Sequence, residues 1–306
     1  MNRKEFLLQN ARIAAGLALT GVTGNLFANP LMNTRDLVVL YTNDWHSHID
    51  PFPMDGGRNQ GLGGAAKRAA LIKQIRQQYQ HVLLLDAGDI FQGTPYFNFF
   101  GGELEFKLMS SMGYDAATLG NHDFDSGLEG IVKQLPHAKF PFLCANYDFK
   151  GTIMEQKTSE YQIFNKGKYR VGVFGVGIEL KGLVPENLYG KTIYNDPISI
   201  ANSTAHFLRH NKKCNLIICL SHLGYNYDGE KVSDKVLAKT TKEIDIILGG
   251  HTHTFLDQPV TVKNANQGDT LISQTGWAGI NLGMIVYGSN SRQQSANADF
   301  SMLKIC

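Results

Sequence analysis

The feature that most constrains this chain is a repeated pattern in which an apolar run is followed directly by a cluster of polar residues. Five such clusters occur: Asn43-Asp44-Trp45-His46-Ser47-His48, Asp86-Ala87-Gly88-Asp89, Asn121-His122-Asp123, Ser221-His222 and His251-Thr252-His253. The apolar runs alternate with amphipathic segments, which is typical of an α/β fold with helices packed on sheets. Ligands of open α/β sheets bind beyond the carboxyl ends of the strands. The sequence therefore predicts that all five clusters converge on one site.

The periodicity of apolar residues predicts the elements that carry these clusters. Residues 63–79 place alanine and isoleucine at helical spacing with Lys and Arg on the opposite face, which predicts an amphipathic helix. The segment GHTH is predicted to be an extended loop from which His251 and His253 point the same way. Strands are predicted over residues 36–42, 81–86, 139–148, 169–177, 214–221, 244–250, 270–276 and 280–288.

Length and charge limit the classes of protein that this chain can represent. The 306 residues are 43% hydrophobic, enough for one large α/β domain or two smaller ones, and no linker divides them. The net charge is +2, and the 29 basic residues are scattered. Nucleic-acid binding therefore has no electrostatic support.

The first 28 residues differ from the rest of the chain. MNRKEF is basic, and IAAGLALTGVTGNLFA is an apolar stretch that ends in small residues. We interpret residues 1–28 as an export signal and residues 29–306 as the mature domain, which has no membrane span and is located in the periplasm or outside the cell. NRKEFLL approximates a twin-arginine signal with Lys4 in place of the second arginine, so that route and the general secretory route both stay open.

The clusters contain seven candidate metal ligands with oxygen or nitrogen donors: Asp44, His46, Asp89, Asn121, His222, His251 and His253. Seven donors are too many for one tetrahedral ion. They suit two ions if one carboxylate bridges both. The mixture of imidazole, carboxylate and amide favours zinc, manganese, iron or cobalt over calcium, and leaves the choice among these four open.

Five motifs, in the order TNDWHSH, DAGDIFQGTP, LGNHDFDSG, SHLGY and GGHTH, resemble the calcineurin-like metallophosphoesterases, and among them the catalytic domain of the secreted 5′-nucleotidases. The resemblance covers roughly residues 36 to 290. It implies a four-layer α/β/β/α sandwich of two mixed sheets flanked by helices. It also implies one ion on Asp44, His46 and His253, a second on Asn121, His222 and His251, and Asp89 bridging both.

The resemblance further implies a catalytic pair, His122 and Asp125. His122 as a cation would stabilise phosphoryl oxygens or protonate the departing alkoxide, while Asp125 would fix its tautomer and raise its pKa. Asp123 is interpreted as orienting the ligands, and Asp125 is also a candidate N-cap of the helix that follows. The predicted reaction is hydrolysis of phosphate esters, nucleotide 5′-phosphomonoesters above all, by in-line attack of metal-bound hydroxide with His122 assisting.

Alternative functions are hydrolysis of cyclic-phosphate, sugar-nucleotide or thiosulfate esters and, in a different class, a non-catalytic metal-binding scaffold. The secreted 5′-nucleotidases carry a further domain that binds the nucleoside, and no segment of this sequence matches it. We therefore expect a separately encoded nucleotide-specificity domain to dock near the aromatic run around Phe97. Substrate-binding residues within this chain stay open. The run consists of Phe91, Tyr96, Phe97, Phe99 and Phe100.

Overall fold

The first of two sheets is built around strand β1, Asn33–Thr42, in a computed structural model that describes residues 33–229, 231–288 and 298–306. The predicted export signal over residues 1–28 lies outside the described residues. β1 pairs in parallel with β2, Tyr79–Asp86, and antiparallel with β12, Asn281–Tyr287. Strands β3, Ala116–Ala117, and β13, Ala298–Lys304, form the two edges, so the order is β13-β12-β1-β2-β3.

The second sheet has six strands in the order β10-β11-β9-β8-β6-β5. Its four inner strands run parallel to one another, and the outermost strand on each side is antiparallel to its neighbour. β4, Tyr147–Asp148, and β7, Ile193–Tyr194, form a separate two-stranded pair. The six strands are β5, Tyr161–Lys166; β6, Tyr169–Gly177; β8, Leu216–His222; β9, Ile246–Gly249; β10, Val260–Lys263; and β11, Asp269–Ser273.

The two sheets pack face to face, because the strands at their centres are apolar on both sides. Leu37, Val39 and Tyr41 of β1 face the inner core with Val173 of β6 and Leu220 of β8. The intervening residues of β1 face the opposite core, under the helices. A strand that is buried on both faces reads as a continuous apolar run. The Tyr41 hydroxyl also lies 2.6 Å from Ser273 Oγ, which joins the two sheets by a buried hydrogen bond.

Helices cover the outer face of each sheet and complete a four-layer α/β/β/α sandwich, as predicted. The first sheet is covered by α1, Ala65–Gln78; α2, Pro95–Phe100; α3, Glu103–Met112; and α4, Gly127–Gln134, with the short α5, Glu186–Tyr189, against α4. The second sheet is covered by α6, Pro197–His206, and α7, Asp234–Thr240. Two 3₁₀ helices, His122–Phe124 and Leu135–His137, and a π-helix, Phe207–Asn211, lie between these elements. No helix among the described residues is long and apolar enough to cross a bilayer.

The strand predicted over residues 139–148 is wrong for most of its length. Only Tyr147–Asp148 forms a regular strand, while Phe142 and Leu143 make isolated bridges to Ala117 and Ser159. Pro141 has no N–H to donate, so a continuous ladder beside β3 cannot form. Strands β5, β10 and β13 were not predicted, because they are half-exposed edge strands without an apolar run.

Candidate metal centre

All seven predicted ligands lie at the carboxyl ends of parallel strands, where the two sheets meet. The first sheet supplies Asp44 and His46 after β1, Asp89 after β2 and Asn121 after β3. The second sheet supplies His222 at the end of β8, and His251 and His253 after β9. The donors form two groups of closely spaced ligand atoms, one of Asp44, His46 and His253 and one of Asp89, His222 and His251.

The first group brings two imidazole nitrogens and a carboxylate to one point. His46 Nε2 lies 2.9 Å from His253 Nε2, and His253 Nε2 lies 3.4 Å from Asp44 Oδ1. His46 Nδ1 donates to the Gln92 carbonyl at 3.0 Å, so in the neutral ring Nε2 presents its lone pair to the group. Burial lowers the pKa of His46 and favours this neutral form.

The second group contains a buried nitrogen that lacks a hydrogen-bond partner among the described residues. His222 Nδ1 donates to the Ala87 carbonyl at 2.7 Å, while the buried Nε2 lies 3.1 Å from Asp89 Oδ2 without a hydrogen bond. Against the effect of burial, the Asp89 and Asp44 carboxylates raise the pKa of His222 to about 10. The two carboxylates around this buried imidazole therefore favour a positive charge at this point, which a proton or a metal cation can supply.

Asn121 and His251 complete the second group. The amide oxygen Oδ1 of Asn121 lies 2.7 Å from His251 Nδ1. Burial and the neighbouring His222 lower the pKa of His251 to about 4, so its ring is neutral at physiological pH. An amide oxygen and a neutral imidazole are both suitable metal ligands.

Asp89 faces both groups through a single carboxylate oxygen. Its Oδ2 lies 3.1 Å from His222 Nε2 and 3.7 Å from His46 Nε2. Although burial raises the pKa of Asp89, the neighbouring His222 and His46 hold it below its usual range. The carboxylate is therefore ionised and placed between two sets of nitrogen donors. This donor set fits two divalent ions that share Asp89.

Five of the seven donors have a left-handed backbone conformation, which is uncommon for residues other than glycine. The φ angles are 50° for Asp44, 51° for His46, 55° for Asp89, 75° for His251 and 51° for His253. Such strain costs of order 1–3 kcal/mol per residue and clusters at functional sites. The extended loop predicted for GHTH is therefore wrong. The two left-handed residues turn the chain so that His251 contacts Asn121 while His253 approaches Asp44 and His46.

The buried carboxylate of Asp123 fixes the backbone of the loop that carries Asp89. Its carboxylate accepts hydrogen bonds from the backbone N–H groups of Asp89, Ile90, Phe91 and Gly120 at 2.8–3.0 Å. Burial and the Asp89 carboxylate raise the pKa of Asp123 to about 7, whereas the four donors favour its ionised form. The approach is so close that a Cβ on Gly120 would lie 2.2 Å from Asp89 Oδ1. The predicted orienting role of Asp123 agrees with these contacts.

His122 and Asp125 form a hydrogen-bonded pair at the edge of the centre. His122 Nδ1 lies 2.8 Å from Asp125 Oδ2, and the backbone N–H of His122 donates to Asp89 Oδ1 at 2.8 Å. The hydrogen bond to Asp125 raises the pKa of His122, and the Asp89 carboxylate adds to this effect. The His122 side chain is 40% exposed, and its ring centroid lies 5.3 Å from that of His46. His122 is thus a partly exposed imidazole beside the predicted ligands, and its surroundings favour the protonated, positively charged ring.

Asp125 does not cap helix α4. The helix begins at Gly127, its N-cap position is Ser126, and no side chain caps it. The Asp125 carboxylate is hydrogen-bonded to His122 instead, so the proposed N-cap role is wrong. His48 is also not among the grouped donors. It stacks on Phe52 at 5.0 Å and meets Trp277 edge-on at 5.1 Å, and burial lowers its pKa to about 4.

Three buried polar residues support the centre, and two of them, Asp234 and Gln274, were not predicted from the sequence. Asp234 Oδ1 accepts from Ser221 Oγ at 2.6 Å, and Asp234 Oδ2 accepts from Gln274 Nε2 at 2.8 Å. Gln274 Nε2 also donates to the Gly250 carbonyl at 3.0 Å, next to His251. Asn43 donates to Asp44 Oδ2 at 2.6 Å. Adjacency in sequence pointed to Asn43, but no local signal pointed to Asp234 or Gln274.

Trp277 forms an aromatic wall beside the centre, and the sequence did not single it out. Its ring is parallel to that of His253, with an interplanar angle of 4° and a centroid distance of 5.6 Å. Beyond it lies a groove of 520 Å³, lined in part by Arg58, Phe255, Asn281 and Lys304. The groove therefore offers aromatic and basic side chains next to a predicted metal ligand.

The aromatic run around Phe97 divides between core and surface. Phe91 is fully buried and Phe97 packs against the core beneath α2. Phe99 and Phe100 are 81% and 48% exposed, and no residue of α2 is buried. The first part of the run thus belongs to the core, and its end lies on the surface.

Comparison with known proteins agrees with this arrangement. The calcineurin-like phosphoesterase family matches residues 37–255 of the chain. A snake venom 5′-nucleotidase from Crotalus adamanteus is 39% identical over 228 residues, which are 72% of this chain and 37% of that protein. The trifunctional nucleotide phosphoesterase of Bacillus subtilis is 33% identical over 303 residues, covering 88% of this chain and 19% of that protein. This chain thus spans less than half the length of either relative.

A solved structure has the same fold. The 5′-nucleotidase precursor from Thermus thermophilus superposes with a TM-score of 0.78 at 29% identity. The alignment covers 88% of this chain and 54% of that one.

Proposed function

The chain belongs to the calcineurin-like phosphoesterases, and from this premise we propose that it hydrolyses phosphate esters with the help of two divalent metal ions. The convergence of seven oxygen and nitrogen donors, with Asp89 between the two groups and His122 beside them, is the observation that carries this proposal. We propose nucleotide 5′-monophosphates as the substrate class, because the relatives named above are a 5′-nucleotidase and a nucleotide phosphoesterase.

In the proposed centre each ion would have its own ligands, and the Asp89 carboxylate would contribute to both. Asp44, His46 and His253 would hold the first ion, and Asn121, His222 and His251 the second. When bound, two such ions polarise the phosphoryl oxygens and make water a stronger nucleophile at neutral pH. The donor types suit zinc, manganese, iron or cobalt.

His122 would act on the substrate through its ring. The hydrogen bond to Asp125 fixes the position of Nδ1 and favours the protonated ring, so the other ring nitrogen, Nε2, has a proton to give. In that state His122 would donate a hydrogen bond to a phosphoryl oxygen or protonate the leaving oxygen. Asp125 would act through His122 and would not touch the substrate.

We propose that a separately encoded domain supplies selectivity for the nucleoside. The exposed rings of Phe99 and Phe100 on α2 support this idea, since a partner that covers them would remove apolar surface from water. The groove beside Trp277 is the alternative source of selectivity within the chain itself. The two sources of selectivity can be distinguished by experiment. If the groove is the source, the isolated chain already discriminates between bases, and Trp277→Ala reduces this discrimination.

Two other functions have different consequences. Hydrolysis of cyclic-phosphate, sugar-nucleotide or thiosulfate esters would use the same centre with other leaving groups. Because one relative is a trifunctional nucleotide phosphoesterase, the activity has to be tested with a broad panel of substrates. A non-catalytic metal-binding scaffold would need neither His122 nor Asp125. The presence of that hydrogen-bonded pair therefore favours an enzyme.

The test is hydrolysis of a panel of phosphate esters by the mature protein, loaded separately with manganese, zinc and cobalt. The panel contains nucleoside monophosphates, cyclic phosphates, nucleotide sugars and a generic aryl phosphate, and Asp89→Ala is the control. We expect hydrolysis of monoesters that is lost in Asp89→Ala and with a chelator. Metal bound in the expected amount without hydrolysis of any member would instead support the scaffold.

We also propose that the protein is exported and that its mature chain begins near Asn29. The basic start of the sequence and its short apolar stretch support this location. The periplasm or the outside of the cell would then be the place where the substrate is met.

A further inference from the structure

A second cluster of histidine and carboxylate side chains lies on the surface, outside the centre described above. His206 Nδ1 lies 3.2 Å from Glu243 Oε2, and His210 Nε2 lies 2.5 Å from Glu243 Oε1. The two imidazole rings are adjacent, with centroids 4.4 Å apart. One ligand atom from each residue lies within 4.8 Å of the others, as in the two groups of the main centre.

The cluster is remote from the catalytic crevice. His206 ends helix α6, His210 lies in the π-helix that follows, and Glu243 precedes β9. It therefore lies near the amino ends of β8 and β9, whereas His222 ends β8 and His251 follows the carboxyl end of β9. The seven residues of β8 span roughly 20 Å, since a strand rises about 3.3 Å per residue.

The backbone is shaped to keep the two imidazoles together. Residues four apart on a helix face the same side, and the unusual π-helical turn, Phe207–Asn211, begins directly after His206. Single π-helical turns are uncommon and frequently occur at functional sites. Two elements far apart in sequence thus bring three donors together.

The charges around the cluster leave the Glu243 carboxylate available to a cation. The neighbouring Arg209 directs its guanidinium to the Asp245 carboxylate at 2.7 Å and to the backbone carbonyl of Glu243 at 3.1 Å. Both carboxylate oxygens of Glu243 instead face imidazole nitrogens. The side chains of His206 and His210 are 66% and 53% exposed, so water can complete the coordination of an ion.

We propose that His206, His210 and Glu243 bind a zinc ion. Two imidazoles and one carboxylate, with one position open to water, are a common ligand set of zinc, with Zn–N distances of about 2.0–2.1 Å. The donor atoms are already close enough that small side-chain rotations would bring all three onto one ion. The bound ion would tie the end of α6 to the segment before β9. This inference does not depend on the proposed function.

The experiment compares zinc bound per chain in wild-type protein and in His206→Ala/His210→Ala. Both mature proteins are dialysed to equilibrium against the same buffered free zinc, and metal is measured by mass spectrometry. The main centre contributes equally to both, so the difference reports the surface cluster. His137→Ala is the matched control, because His137 is also partly exposed and lies 4.0 Å from Glu103.

We expect the double variant to hold about one zinc fewer per chain, and Glu243→Gln to weaken that zinc by at least about tenfold. Zinc should also raise the thermal midpoint of the wild type by a few degrees more than that of the double variant, because the ion binds only the folded arrangement. His137→Ala should match the wild type in both measurements. The far-ultraviolet circular dichroism spectra of all variants should match that of the wild type, which verifies that they are folded.

Equal zinc content in the wild type and the double variant would overturn the proposal and leave the cluster as a surface ion-pair network. An identical loss of zinc in His137→Ala would also overturn it, because the loss would then reflect general binding by exposed histidines. Since His206 and His210 are exposed, their replacement removes little packing. Glu243→Gln provides a second, nearly isosteric test.

Discussion

Substitution of Asp123 by asparagine should destabilise both the fold and the metal centre, although the two side chains have nearly the same shape. In the native protein the two carboxylate oxygens of Asp123 accept four backbone N–H groups, with Ile90 and Phe91 on Oδ1 and Asp89 and Gly120 on Oδ2. Asparagine keeps one acceptor oxygen. Its NH₂ group would face two N–H donors, which are then left without an acceptor in the protein interior.

The magnitude follows from these contacts. Each buried donor left unsatisfied costs about 1–3 kcal/mol, so two give a loss of roughly 2 to 6 kcal/mol in the free energy of unfolding. A domain is typically stable by only about 5–15 kcal/mol. The Asp89 loop would loosen as well, and loss of a residue that orients a ligand typically weakens metal binding by about 10–100-fold.

Urea unfolding of the metal-loaded proteins measures the first effect, and competition with a chelator measures the second. Asp125→Asn is the matched control, because Asp125 is a partly exposed carboxylate two positions away that accepts no buried backbone N–H in the structure described. We expect that control to change the free energy of unfolding by less than about 0.5 kcal/mol. A loss below about 1 kcal/mol in Asp123→Asn, with an unchanged urea dependence, would refute the reasoning.

Four further predictions concern activity and location. Asp89→Ala should remove both ions and abolish hydrolysis because one carboxylate faces both groups, and retention of two ions per chain by elemental analysis would contradict this. His122→Ala should lower turnover by about 10²–10⁴-fold with metal content unchanged, because a positioned proton donor is lost while the ligands stay; simultaneous loss of an ion would make His122 a ligand instead. Asp125→Asn should lower turnover less than His122→Ala, since it acts through the imidazole, and steady-state kinetics of both variants side by side will show the order. Sequencing of the secreted or periplasmic protein should give a start near Asn29, and full-length chains that accumulate in the cytoplasm would speak against export.

The positions of the candidate ligands could be predicted because they depend on a simple property of parallel strands. An apolar run that is followed by Asp44, Asp89 or His222 identifies a strand and its carboxyl end, and sheet geometry then brings such ends together. The backbone conformation of His251 and His253 could not be predicted in this way, because left-handed φ angles in residues other than glycine leave no trace in composition or spacing.

The supporting residues were unpredictable for a different reason. Asp234 and Gln274 are 40 positions apart and meet only because α7 packs against β11, the strand that Gln274 follows. Edge strands such as β13 were missed because their exposed side chains are polar, which removes the apolar run that identifies an interior strand. Local patterns thus indicated the buried strands and their ends, and long-range contacts determined the rest.

The distribution of donors between the sheets has a consequence for how the protein would lose its ions. Each group takes donors from both layers: Asp44 and His46 face His253 across the interface, and Asp89 faces His222. Ions bound there would cross-link the two sheets. Any fluctuation that parts the sheets would release both at once, before either sheet melts. The rate at which a colorimetric chelator captures metal would then report the rate at which the two sheets separate. The measurement needs no denaturant.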